Sequence, residues 1–152
     1  MKLVPLEHKH FPKLFEITSI TEPWYGFDRN TCDRLFSQRE GFVLENKGGE
    51  VIGHITVSDY IPLLEAIIHA SVLPEYKSRW LTKSIYKRVF DFVFNDLECR
   101  RAVGRAFAGY TDLHFHQRLG FTLEGILRDG LLIRGQYSDI LIYSMLPSER
   151  RW

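Results

Sequence analysis

The feature that most constrains the fold is a nearly continuous apolar run from Ala66 to Val72, followed by a short basic loop and a helical pattern. An unbroken apolar run is typical of a strand that is buried on both faces of a sheet. After the loop, an apolar stripe at helical spacing predicts a long amphipathic helix with charged residues on the opposite face; its members are Leu81, Ile85, Val89, Phe92 and Val93. A strand, a basic loop and a helix N-terminus can together bind an anion, because the first amides of a helix have no intrahelical acceptor.

Further strand patterns occur on both sides of this run. Phe42–Leu44 and Val51–Val57 flank the turn residues Asn46–Glu50, which predicts a hairpin. Phe121–Gly125 and Tyr137–Met145 predict two late strands. Shorter patterns predict a first strand over residues 3–6, a strand over 101–105, two helices before residue 40 and one that stops at residues 119–120. The order predicts an α/β (α+β) fold, a mixed sheet with helices on both faces.

Length and charge limit the remaining choices. A chain of 152 residues predicts one domain over residues 1–152, and a formal net charge of +1 gives no global field for nucleic acid or an anionic membrane. No window approaches the roughly 20 apolar residues of a membrane span, and the first residues lack a signal-peptide core, so the cytoplasm is the expected location. Cys32 and Cys99 lack the spacing of a metal site or a disulfide framework, and no metal site is predicted.

Three segments together carry a resemblance to a known family. Val72–Lys77 resembles the end of the fourth strand and the start of the cofactor loop in the GNAT superfamily of N-acetyltransferases. His116–Arg128 resembles the "YEKLGF–EGVLR" segment of that family, and Gly135–Asp139 resembles its late "G-x-Y-x-D" element. The segments have the family's order and spacing, so the resemblance covers essentially the whole chain. It implies a mostly antiparallel central sheet of about six to seven strands.

The resemblance also implies an acetyl-CoA site. It places the backbone of Ser71, Val72 and Leu73 on the pantetheine and the loop from Lys77 to Lys83 on the pyrophosphate. The loop residues implied are Lys77, Ser78, Arg79, Trp80, Leu81, Thr82 and Lys83. The family's loop usually reads R/Q-x-x-G-x-G/A, and here Trp80 and Thr82 take the two glycine positions. Those glycines let the backbone approach the phosphates closely. With both replaced, the basic loop is either still a site for a polyphosphate or only the solvated, basic start of a helix.

Candidate catalytic residues follow from the same resemblance. His116 takes the place of the tyrosine that often protonates the leaving thiolate, and Tyr110 is a second candidate acid. The alternatives are a histidine on a helix surface and a packing tyrosine. Glu65, at the start of the central strand, is the candidate base, and its alternative is a solvated acid at a loop edge. His54 and His69 on neighbouring strands either relay a proton or fill the sheet surface as neutral residues.

Two functions of different class remain open from the sequence. The first is an acyl-CoA-dependent N-acetyltransferase that transfers acetyl to an unidentified amine. The second is a catalytically degenerate binding or structural protein with the same fold, for example a phage virion or host-interaction component with a protein partner. A nucleic-acid partner would rest on basic residues along one face, Lys77, Arg79, Lys83, Lys87 and Arg88, but the near-neutral net charge and the lack of a recognised nucleic-acid motif argue against it. A homo-oligomer is compatible with either function, and no membrane partner is expected.

Overall fold

In the computed structural model, residues 1–22, 26–109 and 114–152 are described. The strands are, in chain order, β1 Lys2–Pro5, β2 Glu40–Glu45, β3 Val51–Ile61, β4 Glu65–Val72, β5 Arg101–Phe107, β6 Thr122–Ile133 and β7 Gln136–Met145. They form a seven-stranded sheet of order β1-β2-β3-β4-β5-β7-β6. β4 and β5 pair in parallel, whereas β1 with β2, β2 with β3, β5 with β7 and β6 with β7 pair antiparallel. The predicted mixed, mostly antiparallel sheet is confirmed.

The described residues include four α-helices. They are α1 Phe11–Thr21, α2 Arg29–Ser37, α3 Lys83–Asp91 and α4 Phe115–Leu119. Within the described residues, none of the helices combines the length and apolar character that crossing a bilayer requires.

The described residues fall into two compact units. The first unit consists of Met1–Ser58 and Ile68–Phe92, and the second of Asp59–Ile67 and Val93–Trp152. The single domain predicted from the sequence therefore stays a prediction, and each unit is described in turn.

The first unit is organised around an apolar cluster under α1 and α2. The fully or nearly fully buried members of this cluster are Phe11, Leu14, Ile17, Cys32, Phe36 and Val43. The predicted hairpin is present, with β2 and β3 in antiparallel register from Glu40 opposite Val57 to Glu45 opposite Val51. In the same unit, α3 is shorter than the apolar pattern predicts, because Leu81 precedes the helix and Phe92 begins a wider turn that continues to Asp96.

The second unit contains the longest hairpin of the chain. β6 extends to Ile133, well beyond the predicted end at Gly125, and a two-residue turn leads into β7. The turn residues Arg134 and Gly135 both have positive φ, 49° and 77°, as the two central residues of a type I′ hairpin turn require. Register shifts after Leu123 and after Leu127 interrupt the hydrogen-bond ladder between β6 and β7. Because of these shifts, the sequence of β6 does not show the regular two-residue alternation of a strand.

Candidate active site

The loop between β4 and α3 is a compact series of turns. A short helical turn spans Pro74–Tyr76, and the amides of Arg79 and Trp80 both donate to the carbonyl of Tyr76, at 3.1 Å. The Thr82 amide donates to the Trp80 carbonyl, also at 3.1 Å. These bonds fix the path of the loop from the end of the strand to the start of the helix.

The loop buries its tryptophan and exposes its cations. The Trp80 side chain is buried, with 7% of its surface exposed. Lys77, Arg79 and Lys83 are all exposed, and the Arg79 guanidinium carbon lies 5.3 Å from the centre of the Tyr76 ring. The indole is therefore shielded from solvent, while the positive charges remain accessible to an anion.

The two residues at the family's glycine positions do not strain the backbone. Neither Trp80 nor Thr82 is among the described residues with positive φ, so neither position needs a glycine for its conformation. Thr82 has φ −84° and ψ 164°, and its hydroxyl accepts a hydrogen bond from the Ile85 amide at 3.3 Å. Threonine here is the N-cap of α3, a position that it occupies favourably.

Several amides of the loop have no backbone acceptor. Across the described part of the chain, no carbonyl accepts from the amides of Ser78, Leu81, Lys83 or Ser84. The last two begin α3, where the helix dipole adds a partial positive charge. These amides and the exposed cations around them suit the phosphates of a nucleotide cofactor.

A polar cluster lies where β4 meets the end of α1. Ser71, the residue before the last of β4, is buried, and its hydroxyl is hydrogen-bonded to that of Thr21. Glu22 follows Thr21, the last residue of α1, and its amide donates to the Thr18 carbonyl at 2.8 Å. Burial is the main cause that raises the pKa of Glu22 above its ordinary value, while the Arg39 charge and a hydrogen bond from Ser71 act in the opposite direction.

The two histidines of the first unit's sheet differ in their surroundings. His54 is fully buried, its Nδ1 lies 3.3 Å from the Thr56 hydroxyl and its ring contacts Phe36 edge-on at 5.0 Å. Its Nε2 is buried with no hydrogen-bond partner among the described residues. Burial, assisted by the charges of Arg39 and His69, holds the pKa of His54 well below its ordinary value. A neutral, packed histidine, one of the two predicted alternatives, fits these contacts.

His69, by contrast, is partly exposed. Its Nε2 lies 2.8 Å from the Ser58 hydroxyl.

In the second unit, His116 packs on the sheet. Its ring stacks on Tyr143 with centroids 4.9 Å apart and an interplanar angle of 7°, and Phe121 meets it edge-on at 5.5 Å. The ring also lies directly over Gly104. His116 is half-buried, so both predicted alternatives, acid and packing residue, stay predictions.

The other two catalytic candidates are Tyr110 and Glu65. Tyr110 lies outside the described residues. Glu65 forms an ion pair with Arg101, whose Nε lies 3.1 Å from the carboxylate, at the start of β4. Its role as a base stays a prediction. Among the described residues, no group of three His, Cys, Asp or Glu side chains is arranged to hold a metal ion.

The family follows from comparison with known proteins. A model of the acetyltransferase (GNAT) family matches residues 5–121. This chain belongs to that family. The suggestion of a phage protein finds no support in these comparisons, whose matches are named as N-acetyltransferases.

A bacterial relative matches part of this chain. A Bacillus subtilis (strain 168) protein named "Putative ribosomal N-acetyltransferase YdaF" is 28% identical over 79 residues, which is 51% of this chain and 43% of that protein. The match thus spans less than half of that relative's length.

Two solved structures share the fold at low identity. A structure described as "a putative phosphinothricin N-acetyltransferase" has a TM-score of 0.83 at 16% identity, and the match covers 95% of this chain and 97% of that one. A chimera of the spermidine N-acetyltransferase SpeG from Vibrio cholerae and hSSAT has a TM-score of 0.81 at 20% identity, and the match covers 98% of both chains.

Sequence reasoning missed Thr21. Its hydroxyl is hydrogen-bonded to that of Ser71, which is 50 positions later in the chain, so no local spacing connects them. The available signal was weak: a residue with a hydroxyl group at the end of an apolar helical pattern.

Proposed function

We propose that this chain is an acetyl-CoA-dependent N-acetyltransferase that transfers an acetyl group to a primary amine. Membership of the GNAT family supports the reaction class. The observation that carries the proposal is the state of the loop: its amides at Ser78, Leu81, Lys83 and Ser84 have no backbone acceptor among the described residues, and its cations are exposed. Bound acetyl-CoA supplies the activated acetyl thioester.

The chain's own residues have defined tasks in this proposal. The loop amides with Lys77, Arg79 and Lys83 bind the pyrophosphate, by charge-assisted hydrogen bonds. The backbone of Ser71, Val72 and Leu73, at the end of β4, orients the pantetheine and its thioester. His116 and Tyr110 stay predicted acids for the leaving thiolate.

The alternative is a catalytically degenerate binding or structural protein with a protein partner. It rests on four positions that depart together from the family's pattern: Trp80, Thr82, Gly109 and His116. Two of these departures fit the local structure, because Trp80 is buried and Thr82 acts as a helix cap at negative φ. The exposed cations of the loop favour the acetyltransferase. A cytoplasmic location and an oligomeric assembly are both compatible with the proposal.

The test is titration calorimetry with acetyl-CoA. We expect saturable one-site binding, weakened about tenfold or more in a triple variant Lys77→Gln, Arg79→Gln, Lys83→Gln, because each lost charge removes a charge-assisted hydrogen bond. Lys87→Gln is the matched control, since Lys87 is exposed on α3 but is paired with Asp91 at 3.1 Å. S-acetylpantetheine, which lacks the pyrophosphate, should not distinguish the triple variant from wild type. Absence of binding at millimolar acetyl-CoA would refute the proposal.

The acceptor is then sought by following thiol release. The panel consists of spermidine, phosphinothricin, isolated ribosomes and a short peptide with a free amino terminus, because the relatives' names point to three different acceptors. Each is compared with an N-acetylated or amine-free counterpart.

A further inference from the structure

A row of polar side chains follows one face of the sheet in the first unit. Alternate residues of a strand point to the same face. The polar residues that alternate in β3 and in its neighbour β4 are His54, Thr56 and Ser58, and His69 and Ser71. The ring of His54 contacts Phe36 of α2, and the hydroxyl of Ser71 is bonded to that of Thr21 at the end of α1. Both groups therefore lie on the face that α1 and α2 cover.

This polar row is buried at one end and opens to solvent at the other. His54, Thr56 and Ser71 are each at most 7% exposed. Ser58 and His69 are half-buried, and Nε2 of His69 lies 2.8 Å from the Ser58 hydroxyl. This pair is thus the part of the row that a molecule from solvent can reach.

A histidine and a hydroxyl at this distance can transfer a proton. With the ring proton on Nδ1, Nε2 accepts a hydrogen bond from the Ser58 hydroxyl, and the hydroxyl oxygen can itself accept from an N–H group. A proton that arrives at Ser58 can then pass to the imidazole, which is an effective base near neutral pH. The pair therefore takes up one proton as a unit.

His69 also lies close to the part of β4 that orients the thioester in the proposed function. It precedes Ser71 by two residues on the same face, a separation of about 6–7 Å along the strand. An amine in contact with Ser58 and His69 is therefore next to the residues that border the acetyl group.

We propose that the Ser58–His69 pair receives the proton of the acceptor's ammonium group. The inference rests on the proposed function and deepens it, because it names the side chains that activate the acceptor. The acceptor class that fits the pair is a primary ammonium, which donates an N–H to the Ser58 oxygen.

The step balances as follows. The ammonium gives one proton to the Ser58 oxygen while the Ser58 hydroxyl gives its own proton to Nε2 of His69. The free amine nitrogen attacks the thioester carbon, the C–N bond forms, the C–S bond breaks, and the thiolate leaves with the electron pair. A second proton of the nitrogen ends on the thiol as the amide forms, and His69 releases its proton to water.

The neighbouring elements bring three further titratable or charged groups to this region. They are His54 on β3, Arg39 between α2 and β2, and Glu22 after α1. Burial holds the pKa of His54 well below its ordinary value, and the charges of Arg39 and His69 act in the same direction. His54 therefore stays neutral near neutral pH, and His69 is the histidine of this face that can take up the ammonium proton.

The kinetic test uses His69→Gln and Ser58→Ala, with His8→Gln as the control at an exposed histidine. With the acceptor that the panel identifies, we expect His69→Gln to lower kcat about 100-fold and to remove the acidic limb of the pH profile, because glutamine cannot take up the proton. Ser58→Ala should lower kcat about tenfold, and Ser58→Thr, which keeps the hydroxyl, should recover most of it.

The affinity for acetyl-CoA should stay within about twofold of wild type in all of these variants, because none of the substituted residues contacts the pyrophosphate in the proposed function. Wild-type kcat and an unchanged acidic limb in His69→Gln would overturn the inference.

A second measurement needs neither acetyl-CoA nor an acceptor. In protein labelled with 15N at the histidine rings, the resonances missing from His69→Gln report which ring nitrogen carries the proton. At alkaline pH we expect the proton on Nδ1 and none on Nε2, whose resonance should shift in Ser58→Ala because its hydrogen bond is lost. A proton on Nε2 would overturn the inference, since Nε2 would then donate to Ser58 and could not receive its proton. Failure of acetyl-CoA binding in protein with the expected tautomer would instead strike the proposed function.

Discussion

Gly104 and His116 fit together so closely that the glycine has no room for a side chain. A Cβ built on Gly104 would lie 2.6 Å from Cδ2 and 2.7 Å from Nε2 of the His116 ring. The ring cannot easily move away, because it is stacked on Tyr143 and meets Phe121 edge-on.

We therefore expect Gly104→Ala to lower the free energy of unfolding by about 1–3 kcal/mol, as overpacking does. Urea denaturation measures it. In the background His116→Ala the same substitution should cost much less, because the atoms that the new methyl group would meet are gone. Gly125→Ala is the control, since no atom lies within 4 Å of its Cβ position. An equal cost in both backgrounds would show that the contact does not limit this site.

His116 also shows how far sequence reasoning reaches for a single residue. Its place in a "LGF" segment predicted its helix and the glycine that ends it, and Gly120 indeed has φ 103° at the C-cap of α4. The stacking on Tyr143 could not be predicted, because Tyr143 lies 27 positions later in the chain and its place depends on the register of β7. The same is true of Thr21 and Ser71, whose hydroxyls only the packing of α1 on β4 brings together.

At the scale of elements, substitutions at the start of α3 test whether the residue that replaces a family glycine stabilises the helix. Thr82 caps the helix through its hydroxyl bond to the Ile85 amide, so we expect Thr82→Ala to lower the free energy of unfolding by about 1 kcal/mol. Thr82→Gly, which restores the family's residue, should cost only a few tenths of that amount, because glycine is an acceptable N-cap. Thermal or urea unfolding distinguishes the two.

Ser84→Ala serves as the control, because Ser84 is exposed and its hydroxyl contacts only that of Thr82, at 3.0 Å. A loss in Thr82→Gly as large as in Thr82→Ala would mean that the hydroxyl bond is not what stabilises this helix start.

Elements were predictable where a local pattern set their limits. The hairpin around Asn46, the central strand and the glycine stop of α4 all carry such patterns, and each is confirmed. β6 was predicted too short, because its register shifts break the alternation and its turn is Arg134–Gly135 rather than an asparagine–glycine pair. α3 was predicted too long, because an apolar stripe does not show that Phe92 begins a wider turn.

At the scale of the whole molecule, two buried groups of the first unit should shape stability against pH in opposite directions. The folded state raises the pKa of Glu22 above 4.5, so it binds more protons than the unfolded chain above that pH, and stability falls as the pH rises through this interval. The folded state lowers the pKa of His54 below 6.5, so the unfolded chain binds more protons, and stability falls as the pH drops below about 6.5.

We therefore expect Glu22→Gln to gain stability relative to wild type as the pH rises above about 4.5, and His54→Gln to gain relative to wild type as the pH falls below about 6.5. Urea unfolding between pH 4.5 and 8 measures both differences, and their change with pH is the test, because either substitution also alters packing. A flat difference for Glu22→Gln would mean that burial in the folded state does not shift the pKa of this carboxyl, and a flat difference for His54→Gln would mean the same for its imidazole.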